Sequence, residues 1–171
     1  MVILIAGAGH SGKTLFAQKL LEKYKYPYLS IDHLKMGLIR SGHCPLSPES
    51  DDAWLTGYLW PVVREIIKTA IENSQNIIIE GSYIPADFKS DFSGAYLRHI
   101  RYVCLILSEK YIMNHYAAIK AHACDIEDRM DAAPPSEKIL IRDNLQNLAQ
   151  CEKHGLDYIL IDDGYEFFWE L

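Results

Sequence analysis

The octapeptide GAGHSGKT, residues 7–14, combines glycines, a lysine and a threonine at spacings that fit two different phosphate-binding chemistries. Its first six residues fit G-x-G-x-x-G, the loop that brings backbone close to a dinucleotide pyrophosphate, and all eight fit G-x-x-x-x-G-K-[ST], the loop that cradles a nucleoside triphosphate. Asp32 sharpens the ambiguity, because it closes the second apolar run about 20 residues after Gly12, where a ribose-binding carboxylate of a dinucleotide fold belongs. The triphosphate reading accounts for more residues. Gly7, Gly9, His10, Ser11 and Gly12 then form the backbone cradle, Lys13 supplies a cation to the β- and γ-phosphates, and Thr14 supplies a hydroxyl for Mg²⁺. A dinucleotide loop leaves Lys13 and Thr14 without a task.

A second feature points the same way. The apolar run in NIIIEG ends at Glu80, a carboxylate placed to be the acidic partner of a magnesium site. For these groups to meet, the chain must be an α/β protein with its loops at one edge of a parallel sheet. Near-continuous apolar runs at residues 2–6, 28–31, 77–79, 102–107 and 158–161 suit strands buried on both faces. Helical periodicity fills the gaps: Leu55, Tyr58, Leu59, Val62, Val63, Ile66, Ile67, Ala70 and Ile71 recur at i, i+3, i+4 spacing, with Pro61 expected to kink or restart that helix. A later helix is expected to start at a Ser136 N-cap and stop at Gly155, with Ile141, Leu145, Leu148 and Ala149 on its inner face. Ligands of such folds bind outside the carboxyl ends of the strands, so residues 7–14, 32–35, 80–83, 108–110 and 162–165 should converge. Arg98 and Arg101 precede the fourth strand and belong at the opposite, structural edge.

The bulk properties narrow the function. A chain of 171 residues is read as one domain able to bury roughly 70% of its unfolded surface. A net charge of −6, with no Lys/Arg run, excludes a nucleic-acid partner that needs a basic face. No apolar stretch approaches the ~20 residues of a membrane span, and the apolar start MVILIAGAG lacks a basic leader, so it is expected to be a buried first strand. Four cysteines, at 44, 104, 124 and 151, form no C-x-x-C pair and are expected to be reduced thiols of a cytoplasmic protein. His115, His122 and Cys124 fall close in sequence but lack a zinc-ligand spacing.

With GAGHSGKT as a Walker A loop and NIIIEG in the Walker B place, the sequence resembles the P-loop kinase superfamily. The similarity is to the small kinases related to adenylate kinase and to those that phosphorylate nucleosides or other small hydroxyl compounds. ACDIEDRMDAAPP, residues 123–135, resembles their lid, and IRDNLQNLAQ the arginine-bearing helix that follows it. The resemblance implies a three-layer α/β fold with a five-stranded parallel sheet in the order 2-3-1-4-5, ATP and Mg²⁺ as the nucleotide substrate and metal, and a small-molecule acceptor. It implies catalytic roles for Lys13, for Arg129 in the lid and Arg142 in the helix after it, and for Asp32, which would accept the proton of an acceptor hydroxyl. Lys35, three residues after Asp32, and Tyr83 would contact the acceptor. A single arginine among Asp125, Glu127, Asp128 and Asp131 departs from the arginine-rich lids of adenylate kinases and disfavours a highly charged acceptor. Trp54, Tyr58 and Trp60 are candidates for the acceptor pocket or for the core. A nucleoside monophosphate kinase, and a non-catalytic or ATP-hydrolysing module, are the alternatives; a GTPase lacks its N-K-x-D.

Overall fold

A computed structural model describes residues 1–121, 135–165 and 169. Five parallel strands form one sheet in the order β2-β3-β1-β4-β5. They are β1 (Val2–Gly7), β2 (Tyr28–Ser30), β3 (Ile77–Glu80), β4 (Ile100–Leu107) and β5 (Tyr158–Ile161). The helices are α1 (Lys13–Tyr24), α2 (Ile31–Arg40), α3 (Asp52–Glu72), α4 (Gly94–Leu97), α5 (Glu109–Ala121) and α6 (Glu137–His154), with a 3₁₀ turn at Phe88–Asp91. The strand order and layering are those that the resemblance to the P-loop kinases implies.

Burial from both sides explains the apolar runs of β1, β3 and β4, whereas β5 departs from that expectation, with Tyr158 and Leu160 exposed. Alternate residues of β1 and β4 enter two separate cores. Val2, Leu4, Cys104 and Ile106 pack with Leu55, Leu59, Val63 and Ile67 of α3; Ile3, Ile5, Val103 and Leu105 pack with Phe16, Ala17 and Leu20 of α1 and Ile112 of α5. Every residue of β1 is buried, and β1 pairs with β3 on one side and β4 on the other. The loop that follows β1 is therefore rooted in the middle of the molecule.

Two expectations about helix faces need correction. α3 runs unbroken through Pro61, which is exposed. The ring faces water, and the carbonyl it cannot bond, that of Gly57, lies on the same exposed side, so no buried acceptor is orphaned. In α6 the cap residues Ser136 and Gly155 are as expected, but the buried stripe is Leu140, Asn144 and Cys151, while Leu145 and Ala149 are exposed. The stripe centres on a polar residue. Asn144 Oδ1 accepts from the Leu107 N–H at 2.8 Å, and its Nδ2 donates to the Leu140 carbonyl at 2.8 Å, which ties α6 to the end of β4. No helix among the described residues is long and apolar enough to cross a membrane.

Candidate phosphate-transfer site

The loop after β1 turns sharply into α1. Gly12 caps the helix in the left-handed region, at φ +81°, and His10 also has a positive φ of 60°. The first turn of α1 thus begins inside the loop, and its N–H groups lack intrahelical acceptors. Such an end attracts anions. Lys13 is buried, and its ammonium reaches back to donate to the Ala8 carbonyl at 2.8 Å, which keeps the charge over the loop instead of in solvent. On the neighbouring strand Glu80 is only 1% exposed. Its Oε1 stands 3.4 Å from Thr14 Oγ1 across the β1–β3 pair, where Ile5 is in register with Glu80. A hydroxyl and a carboxylate facing one another at the carboxyl edge are the hard oxygen donors that Mg²⁺ takes, so the residues present fit that ion. Beyond Glu80, the Ser82 hydroxyl donates to the Gly7 carbonyl at 3.1 Å and holds the β3 exit against the loop.

A second group of residues gathers at the same edge on the β2 side. Asp32 is the second residue of α2, whose cap is Ser30, so the alternative role of Asp32 as a helix cap is excluded. Its carboxylate lies in the first helical turn, where the helix dipole favours a negative charge. Lys35 Nζ donates to Asp32 Oδ1 at 2.8 Å and to Tyr83 Oη at 2.9 Å, one turn along α2 and across to the β3 exit. Burial opposes the charge on Lys35, but the Asp32 carboxylate and the hydrogen bonds to Asp32 and Tyr83 outweigh it and hold the ammonium's pKa above its usual value. Burial likewise pushes the Tyr83 phenol up, so this side chain accepts from Lys35 while keeping its own proton. Asp32, Lys35 and Tyr83 therefore form one connected unit.

The approach of α2 to β3 depends on Gly81. A Cβ there would meet the Ile31 Cβ at 2.8 Å, closer than carbon atoms approach. Its N–H donates to the Ile5 carbonyl at 3.1 Å, so the glycine is also fixed to β1. Asp32, next to Ile31, is held at the β3 exit by this contact.

Of the other sequence-derived candidates, Arg142 pairs with its neighbour Asp143 at 2.8 Å, and its side chain is 69% exposed. Arg129, the remaining lid residues 123–134, His122 and Cys124 lie outside the described residues. Trp60 belongs to the core, where it packs edge-on against Phe92 and donates to Asp91 at 2.7 Å, and Tyr58 donates to the His43 carbonyl. Trp54 is 70% exposed. Cys44, Cys104 and Cys151 are buried free thiols. Sequence reasoning passed over Asp52, at the start of α3. Its carboxyl is held above the usual carboxylate range by desolvation and by the charges of Asp143, Asp51 and Asp32, against the pull of Lys35. Those interactions put the N-terminus of α3 and the middle of α6 around the Asp32 group.

No protein-family sequence model and no curated protein sequence matches the chain. Solved structures do match in shape. A sugar kinase from Janibacter sp. is 15% identical, with 94% of this chain and 83% of that one covered at a TM-score of 0.55. A shikimate kinase from Bacteroides thetaiotaomicron is 14% identical over 99% of this chain and 90% of its own, at a TM-score of 0.54. A deoxyadenosine kinase from M. mycoides is 15% identical over 95% and 90%, at 0.53. At these identities the likeness is one of architecture, and it agrees with the strand order: the chain has the fold of the P-loop kinases.

Proposed function

We propose that this chain is an ATP- and Mg²⁺-dependent phosphotransferase that moves the γ-phosphate to a hydroxyl of a small molecule. The observation that carries the reading is the linked Asp32, Lys35 and Tyr83 at the sheet edge that also bears Lys13, Thr14 and Glu80. Residues 7–14 would bind the triphosphate, with Lys13 on the β- and γ-phosphates. Thr14 and Glu80 would hold Mg²⁺, which when bound neutralises charge between those phosphates. Asp32 would orient the acceptor hydroxyl and take its proton as it attacks, with Lys35 fixing the carboxylate's rotamer through Oδ1. Tyr83 would position the acceptor through the O–H it retains.

Local charge favours a hydroxyl acceptor over a nucleoside monophosphate. Asp32, Asp51, Asp52 and Asp143 interact there, with Lys35 the cation among them and Arg142 already paired to Asp143. A dianionic acceptor would be repelled where water is excluded, whereas a neutral or singly charged one would not. A phosphate acceptor is moreover already anionic and needs no base.

Calorimetry with ATP and Mg²⁺, followed by a phosphotransfer screen over hydroxyl compounds and nucleoside monophosphates, tests the reading. Asp32→Asn should bind ATP like the wild type and turn over a hydroxyl acceptor on the order of 10²–10⁴-fold more slowly, the usual share of general base catalysis. Folded Asp32→Asn protein with wild-type turnover would transfer the assignment to a nucleoside monophosphate kinase. Wild-type protein that binds neither ATP nor GTP would end the phosphotransferase reading altogether.

A further inference from the structure

Four residues beyond β5, the Tyr165 hydroxyl donates to the backbone oxygen of Ser11 at 2.8 Å, a contact between residues 154 apart in sequence. The ring occupies the space over Gly12, where any Cβ would run into the Tyr165 hydroxyl. Around it, Lys19 of α1 has its ammonium 5.9 Å from the ring centroid, and Trp169 meets Phe16 of α1 edge-on at 6.0 Å. Tyr165 and Trp169 are thus seated against α1 and the loop that precedes it. Burial and the neighbouring Tyr111 push the phenol's pKa well above its usual value, so the donor keeps its proton at any working pH.

The consequence follows from peptide geometry. The Ser11 carbonyl and the Gly12 N–H share one peptide plane, and no peptide bond among the described residues is cis. In a trans peptide the two groups point in opposite directions. Anchoring the oxygen on Tyr165 therefore points the Gly12 N–H away from the Tyr165 hydroxyl. A hydrogen bond on the oxygen also polarises the amide and strengthens its N–H as a donor.

We propose that Tyr165 is a positioning residue for phosphate binding: it orients and polarises the Ser11–Gly12 peptide so that the Gly12 N–H is presented to the triphosphate. The proposal rests on the reading of residues 7–14 as a phosphate cradle. It assigns Gly12 a second constraint besides its left-handed backbone, namely room for a phenol contributed by the far end of the chain.

The test is Tyr165→Phe in the full chain, with Mg·ATP, inorganic tripolyphosphate and adenosine as separate probes by calorimetry, together with the Gly12 amide resonance in ¹⁵N-labelled protein. Losing this anchor should weaken Mg·ATP and tripolyphosphate alike, by up to about 12-fold, the ceiling set by one neutral hydrogen bond. Adenosine binding should hold, and the Gly12 amide proton should move upfield before any ligand is added. Replacing Tyr165 by 3-fluorotyrosine, a more acidic donor, should shift affinity and resonance the other way. If the wild type binds the probes and Tyr165→Phe binds them equally well with an unmoved Gly12 resonance, the inference fails while the phosphate-loop reading stands. Tighter binding by Tyr165→Phe would make the ring an obstruction and overturn it. A loss confined to ATP and adenosine would make it a base contact and overturn it too. Wild-type protein that binds no triphosphate overturns both readings.

Discussion

Gly81→Ala sets two opposing effects against each other, and the structure decides between them. Replacing glycine by alanine at a position without positive φ stabilises a protein by about 0.4–1 kcal/mol, because the unfolded chain loses freedom. Against this, the new methyl lies 2.8 Å from Ile31 Cβ and 3.1 Å from Ile31 Cγ1 and Cδ1. Comfortable carbon contacts begin near 3.5 Å, so a gap of about 0.7 Å must open. A rotamer change relieves the Cγ1 and Cδ1 contacts only; the Cβ moves with the α2 backbone. That backbone is constrained too, since Ile31 is fully buried and the preceding Ser30 is in register with Glu80. Overpacking of this kind costs about 1–3 kcal/mol, which exceeds the entropic gain. The two ranges leave a net destabilisation of up to about 2.6 kcal/mol, centred on about 1.3, or a fall in Tm of up to about 10 °C for a chain of this size. Turnover should suffer more than stability. A displacement of order 1 Å at the first turn of α2 carries Asp32 with it, and misplacement on that scale costs up to about 10²-fold in rate. Urea unfolding, thermal melting and kcat with saturating ATP measure the three quantities. Gly81→Ala protein that is as stable as the wild type and fully active would refute the claim that this close approach places Asp32.

Two further outcomes are expected. Asn144→Ala should cost about 1–3 kcal/mol in urea unfolding with ATP affinity unchanged, because the buried Leu107 N–H loses its acceptor; a loss under about 0.5 kcal/mol would show that another group replaces it. Glu80→Gln should weaken the magnesium dependence of ATP binding far more than the affinity for metal-free ATP, and an unchanged Mg²⁺ titration would return Glu80 to a purely structural part beside Thr14.

What could be read in advance follows from where the information sits along the chain. The three inner strands were legible because a parallel strand covered on both faces is apolar along its length, as the runs leading to Gly7, Glu80 and Leu107 are; the edge strands β2 and β5 were legible as apolar runs although they are only partly covered. Lys13, Thr14 and Glu80 were legible because one local motif and one strand end carry them. Asp32 was legible as a carboxylate at a strand end, although its place inside α2 and not before it was not. The inner face of α6 was missed because its central residue, Asn144, is polar, and its partner is an N–H on β4 that no helical period reveals. Gly81 was missed because its reason is a contact with Ile31, about 50 residues earlier in the chain. Residues 162–165 were expected near the site from their place after β5, yet nothing local marks Tyr165 as the one whose hydroxyl meets Ser11.

The sheet order has a consequence for how the molecule moves. β1 is enclosed by two partner strands and two cores, so its amides can exchange with solvent only when the whole domain opens. The edge strands β2 and β5 have three and four residues and one neighbour each, so they can separate at a fraction of that free energy. The loop that would hold the triphosphate thus grows from the part of the chain that opens last. Asp32 and Tyr165, which approach it from either side, follow the two strands that open first. Nucleotide and acceptor would then be held by regions of different local stability, so a substitution that loosens β2 can slow transfer without releasing ATP.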